Sequence, residues 1–166
     1  MKILTFSTRF SAKHPRKGDA TFFMEKILCG LGITMQTIPP HLTPIINDFQ
    51  MLCAPEENKY HTIRGGNRWK AGDMVSLRVW SDKPYRSKQI EFAQVEIKRV
   101  QWFDIKMLDG ALTWFIDDKP RALFDAGSCD AEVLAKNDGL SVEDFVAWFP
   151  SEFSGQIICW HADINY

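Results

Sequence analysis

Between Met74 and Ile116 the chain alternates apolar and polar residues in short runs separated by turn signals. This pattern constrains the fold more than any other, because a period of two is that of a half-buried strand. Val75, Leu77 and Val79 alternate with polar neighbours, and Ser81-Asp82-Lys83-Pro84 turns the chain. Ile90 to Val100 alternates again, with Val95 and Ile97 on one face. Trp102 to Leu108 and Ala111 to Ile116 flank Asp109-Gly110, a strong two-residue hairpin signal. Asp117-Asp118-Lys119-Pro120 ends that hairpin.

The flanks add strands and helices. Ile3 to Phe10 alternates and suits a first strand. After a basic turn, His14-Pro15-Arg16-Lys17-Gly18, Asp19 is placed to cap a helix running to about Cys29. Phe22, Phe23, Ile27 and Leu28 give that helix its apolar stripe, and Gly30 stops it. Ser128 is placed to cap a short helix over Ala131 to Lys136, ended by Asn137-Asp138-Gly139. Ser141 caps the next, with Glu143 and Asp144 in the first turn, where the helix dipole favours anions, and Phe145, Trp148 and Phe149 on its apolar face. A last strand is expected from Gly155 to Ile164. About six strands and two or three short helices predict an α+β domain over 1–166. Its sheet, mixed or antiparallel, is expected to curl into a small barrel.

One segment, Leu31 to Asn58, loses its period at Pro39, Pro40, Pro44 and Pro55, although Ile45 to Leu52 could form a short helix. So long an irregular insert is unusual in a compact domain and reads as a functional loop or lid that delivers the chain to Lys59.

Charge and cysteine content narrow the function. The net charge is −1, so any nucleic-acid binding must come from a local patch. Cys29, Cys53, Cys129 and Cys159 show neither a CxxC pair nor Cys/His ligand spacing, so neither a metal nor a cofactor is expected. They read as small buried hydrophobes in a reducing compartment. The first residues, MKILTFSTRF, read as a strand rather than a secretion signal, and no apolar run reaches the roughly 20 residues that span a membrane. A cytoplasmic protein without a membrane partner is expected.

Polar chemistry concentrates in Asn58 to Asp73, NKYHTIRGGNRWKAGD. It reads as a short strand, a Gly65-Gly66 loop bending back over the strand's end, and the start of a second strand. A lysine, a hydroxyl and a guanidinium within six positions suit an anionic or carbonyl ligand; a solvated strand end is the plain alternative. Thr62 and Arg64, two apart, share a face, whereas Lys59 has the opposite parity and joins them only if the strand starts late or bulges. Arg68, Trp69 and Lys70 form a basic-aromatic run able to stack on and pair with a nucleotide, or else Trp69 plugs a barrel end. His61 faces away from Thr62 and reads as structural.

Several of these pieces together resemble the ASCH family, whose fold is a PUA-like β-barrel. The resemblance is carried by the helix ending Ile27-Leu28-Cys29-Gly30, by Lys59-x-x-Thr62-Ile63-Arg64, by Trp69 with Gly72-Asp73, and by Asp138-Gly139-Leu140-Ser141 leading to Phe145 and Phe149. It covers about residues 20 to 150. Within the family the chain is most similar to bacterial amidohydrolases that deacetylate N4-acetylcytidine. That resemblance implies Lys59 as proton acceptor, Thr62 as nucleophile and Asp138 as proton donor, and the reading of the residues themselves adds Arg64, Arg68 and Trp69 on the ligand. Two features depart from it: Asp138 stands where those enzymes have glutamate, and they lack the insert at 31–58. Longer, phage-associated ASCH-like proteins are closer to this chain in the second respect, and some of these resemble ribonucleases or RNA-binding modules. Hydrolysis through a threonine needs a base near its hydroxyl and a donor for the leaving amine. Lys59 can be that base near neutrality only if burial or a neighbouring cation lowers its pKa from about 10.4. RNA or a modified nucleoside is therefore the expected partner, and cutting and holding both remain consistent with the residues.

Overall fold

The computed structural model describes residues 1–53, 58–121 and 129–166, and of residues 53, 121, 129 and 130 only the backbone. The chain folds as two compact units. The first comprises Met1–Lys59 and Asp73–Glu96, the second Tyr60–Gly72 and Ile97–Tyr166. The described residues form an α+β structure of eight strands in two sheets with three short α-helices.

In the first unit β1 (Lys2–Phe6) pairs in parallel with β3 (Met74–Trp80), which pairs antiparallel with β4 (Gln89–Glu96), so this sheet is mixed. Leu4, Phe6, Val75, Leu77, Val79 and Val95 are buried, as the alternation predicts, and Phe92 of β4 joins them. Helix α1 spans Phe23–Gly30, three residues later than a cap at Asp19 requires. The chain before it is held extended instead: Arg9 and Ala20 form an antiparallel bridge, Phe10 N–H donates to the Asp19 carbonyl (2.9 Å), and the Asp19 carboxylate accepts from Arg16 Nε (3.2 Å). The helix begins after Phe22, whose φ of 55° makes the turn without any side-chain cap. It ends at Gly30, and the turn that closes it lies just beyond. Gly32 (φ +75°) donates to Cys29 O and Ile33 donates to Leu28 O, both at 2.9 Å, the paired bonds of a left-handed helix stop.

The insert is tied to this helix. Glu25, 1% exposed, accepts at Oε1 from both the backbone N–H (2.7 Å) and the side-chain amide (3.1 Å) of Asn47. Short 3-10 turns at Thr43–Ile45 and Phe49–Cys53 replace the expected helix, with Leu42 and Leu52 buried. Pro55 lies outside the described residues.

The second unit is a five-stranded antiparallel sheet in the order β2 (His61–Gly65), β8 (Phe153–Cys159), β5 (Arg99–Leu108), β6 (Ala111–Ile116), β7 (Lys119–Arg121). The run from Ile90 to Val100 supplies two strands rather than one. At Lys98 the backbone begins to bond β8, where Lys98 N–H donates to Cys159 O (2.8 Å), so one alternating run serves two sheets. Asp109 and Gly110 both take positive φ, 50° and 79°, and close the expected hairpin. Asp117 and Asp118, at 49° and 62°, do the same one strand later. The chain therefore makes a further edge strand there instead of leaving the sheet, and Pro120 is tolerated on that edge.

Helices α2 (Cys129–Asn137) and α3 (Val142–Trp148) complete this unit. The Ser141 hydroxyl accepts from Asp144 N–H (3.1 Å), the cap expected there; Ser128 lies outside the described residues. The Phe145 and Phe149 rings meet Phe103 of β5 and Trp114 of β6 in aromatic contacts, with centroids 5.0–5.7 Å apart. These contacts bury one face of the sheet. The final strand stops at Cys159, and the residues after it return along β5, where Arg99 Nη1 donates to Ile164 O (3.0 Å).

Candidate functional site

Alternation along β2 divides the polar residues of the second unit between the two faces of the sheet. His61 and Ile63 point to the helix side, in register with Cys159 and Ile157. Thr62 and Arg64 point to the other side, in register with Ile158 and Gln156 of β8, and across those with Val100 and Trp102 of β5. The strand starts at His61, so it does begin after Lys59.

On the outer face Gln156 organises the loop after β2. Its side-chain Oε1 accepts from Trp69 N–H (3.0 Å), and its Nε2 donates to Trp69 O (3.3 Å). This pair of bonds folds 66–72 back over the face that carries Thr62 and Arg64. Trp69 is left 2% exposed, and the Arg68 guanidinium lies 4.6 Å from its ring centroid. Thr62, Arg64, Arg68 and Trp69 are thus gathered on one side of one unit. Arg68 and Lys70 are exposed, Arg64 is partly so, and the indole is covered.

Asp138 belongs to the helix side. Gly139 (φ +72°) stops α2, with Gly139 N–H donating to Lys136 O (2.9 Å) and Leu140 N–H to Ala135 O (3.0 Å), and this turn fixes Asp138 at the helix end. Its carboxylate stands 3.6 Å from His61 Nε2. The other ring nitrogen, His61 Nδ1, is 2.6 Å from the Tyr166 hydroxyl. Burial pushes the Tyr166 hydroxyl well above the usual phenol pKa, with a smaller contribution from the neighbouring Asp138 charge and an opposing hydrogen bond from Asn137. The phenol therefore keeps its proton and shares a hydrogen bond with Nδ1, while Nε2 faces Asp138. Gln101 holds Tyr166 in place, accepting from its backbone N–H (3.0 Å) and donating to its carbonyl (2.9 Å).

Lys59 closes the first unit. It is 1% exposed, its ammonium sits 4.3 Å from the Phe23 ring centroid, and its backbone N–H donates to Lys26 O (3.2 Å). A lysine so deeply buried is rare unless paired.

Two partners were not legible as such. His61 is fully buried and bonded to Tyr166, in keeping with its structural reading, but its nearness to Asp138 had no signal in the sequence. Tyr166 carried no local signal at all, since its position is set by Gln101, 65 residues away. Among the described residues no group of three His, Cys, Asp or Glu side chains could hold a metal, and no helix is long and apolar enough to cross a membrane. Comparison with protein-family models, with curated proteins and with solved structures finds no match to this chain.

Proposed function

We propose that the chain is an ASCH-like domain with a PUA-like barrel that recognises RNA or a modified nucleoside in the cytoplasm. The observation that carries this reading is the Trp69–Gln156 lock, which gathers a buried hydroxyl (Thr62) and two guanidinium groups (Arg64, Arg68) on one face of one unit. A hydroxyl for a base edge or carbonyl, with nearby cations for phosphate, is the set that a nucleotide requires. In the catalytic form of the reading, which rests on the resemblance, Lys59 takes the Thr62 hydroxyl proton, Thr62 attacks the acetyl carbonyl of N4-acetylcytidine, Asp138 protonates the leaving amine, and water then hydrolyses the acetyl-threonine ester to release acetate. Incubating the protein with N4-acetylcytidine and measuring acetate tests that form. Turnover that Thr62→Ala abolishes is expected of a hydrolase; turnover that survives Thr62→Ala contradicts the assigned nucleophile.

A second, non-catalytic form is favoured by the placement of Asp138 against His61, on the face of β2 opposite Thr62. A carboxylate set beside a fully buried imidazole, away from Thr62, suits a structural partner better than a proton donor. This form predicts RNA binding that weakens with salt and no acetate release. Absence of RNA or nucleoside binding at low salt would remove both forms.

A further inference from the structure

The outer face of the five-stranded sheet continues past the Trp69 lock into an open groove with a volume of about 520 Å3. It is lined by Trp102, Asp104, Lys106, Ser154, Glu152 and Phe153, with Ile105 at its edge. Asp104 lies directly across from Ser154, and Trp102 across from Gln156, so these side chains share one face. Asp104 is 4% exposed although it stands on a polar sheet face. Its carboxylate is 3.5 Å from Lys106 Nζ, whose side chain is 55% exposed and also lies 5.3 Å from the Phe115 ring centroid. One oxygen of Glu152 is taken by Met107 N–H (3.0 Å).

The groove thus combines an aromatic plane, a sheltered carboxylate, a second carboxylate and a hydroxyl, against a single mobile ammonium. Two negative charges to one positive disfavour a phosphate. A flat cation is favoured, because its face can lie on Trp102 while its N–H groups reach Asp104. Lys106 then acts as a resident counter-ion: when the ligand arrives it can leave Asp104 and keep its contact with Phe115.

We propose that this groove is a binding site for a guanidinium group, with Trp102 as stacking plane, Asp104 as anionic acceptor and Lys106 as displaceable counter-ion. The proposal does not depend on nucleoside recognition at Thr62. Its sources are a small guanidine or an arginine side chain of a peptide, and these share the same chemistry.

The test is a nuclear magnetic resonance titration of the full chain with agmatine, with a Gly-Arg-Gly peptide and with n-butylammonium, following the Trp102 indole and the Ser154 amide. Saturable shifts with agmatine or the peptide, at least several-fold weaker with butylammonium, are expected. Tighter binding of the peptide assigns the site to a peptide, and tighter agmatine binding to a small molecule. Asp104→Asn weakens binding by about tenfold or more, since it removes a charge-assisted bond. Lys106→Met strengthens it by up to about fivefold, because an exposed competing pair is removed. Weaker binding in Lys106→Met would mean that the groove takes an anion and would overturn the proposal. So would equal binding of butylammonium, or no shifts at millimolar ligand in a folded wild-type protein.

Discussion

The two faces of the five-stranded sheet are built by the same strands and have opposite characters. On the helix side Phe103, Ile105, Trp114, Ile116 and Ile157 are at most 3% exposed, and their rings interlock with Phe145 and Phe149. Polar groups on that side are tied to one another: Tyr166 bonds both His61 and Gln101. On the outer side Thr62, Arg64, Gln156, Trp102, Asp104 and Lys106 follow one another across β2, β8 and β5, around the buried Ile158. Burying an apolar side chain favours folding, whereas burying a charge costs several kcal/mol unless it is paired, so a face rich in polar groups adds little to stability. The outer face therefore reads as a working surface, and the helix side as the structure that holds it.

That contrast can be broken from the helix side first. Phe103→Ala, at a position with 0% exposure among three aromatic rings, is expected to cost about 3–5 kcal/mol in urea unfolding. Next comes Gly155→Ala. An added Cβ there would overlap the Arg64 carbonyl oxygen and lie 2.8 Å from the Phe153 ring, so β2 must move off β8. The expected cost is about 1–3 kcal/mol, together with a shift of the Thr62 and Arg64 amides that maps the strain to both faces.

Tyr166→Phe removes the hydroxyl that satisfies His61 and is expected to cost about 1–3 kcal/mol at neutral pH. It also carries a pH signature. Because burial raises the Tyr166 pKa in the fold above its unfolded value of about 10, its contribution is complete below pH 10 and is lost as pH rises towards the folded pKa. Burial likewise raises the Cys159 thiol, whose decline begins nearer pH 8.5. Alkaline unfolding followed by circular dichroism should therefore start later in Tyr166→Phe relative to its own neutral-pH stability. The smallest effect belongs to the outer face. Arg68→Ala should change stability by less than about 0.5 kcal/mol while weakening ligand binding, and a large loss of stability there would erase the distinction between the faces.

Much of this arrangement was legible because it is local. The Asp109-Gly110 hairpin needs only two adjacent residues that accept positive φ, and the Ser141 cap needs only a hydroxyl three residues before an N–H. Thr62 and Arg64 sharing a face follows from alternation alone. What escaped depends on distant partners. Asp19 does not cap α1 because residues 8–10 pair with 19–21. The Trp69–Gln156 lock spans 87 positions and the Tyr166–His61 contact 105, and neither leaves a mark on its neighbours in sequence. Asp138 was placed correctly as a helix stop, but its side of the sheet is decided by His61.

The most direct test of the outer face as a nucleoside surface is a chemical-shift titration of the full chain with N4-acetylcytidine. Saturable shifts at the Thr62, Arg64 and Trp69 amides, with Phe103 and Ile157 unmoved and the response lost in Thr62→Val, are the predicted result. Shifts confined to the helix side, or binding that Thr62→Val leaves unchanged, would contradict it.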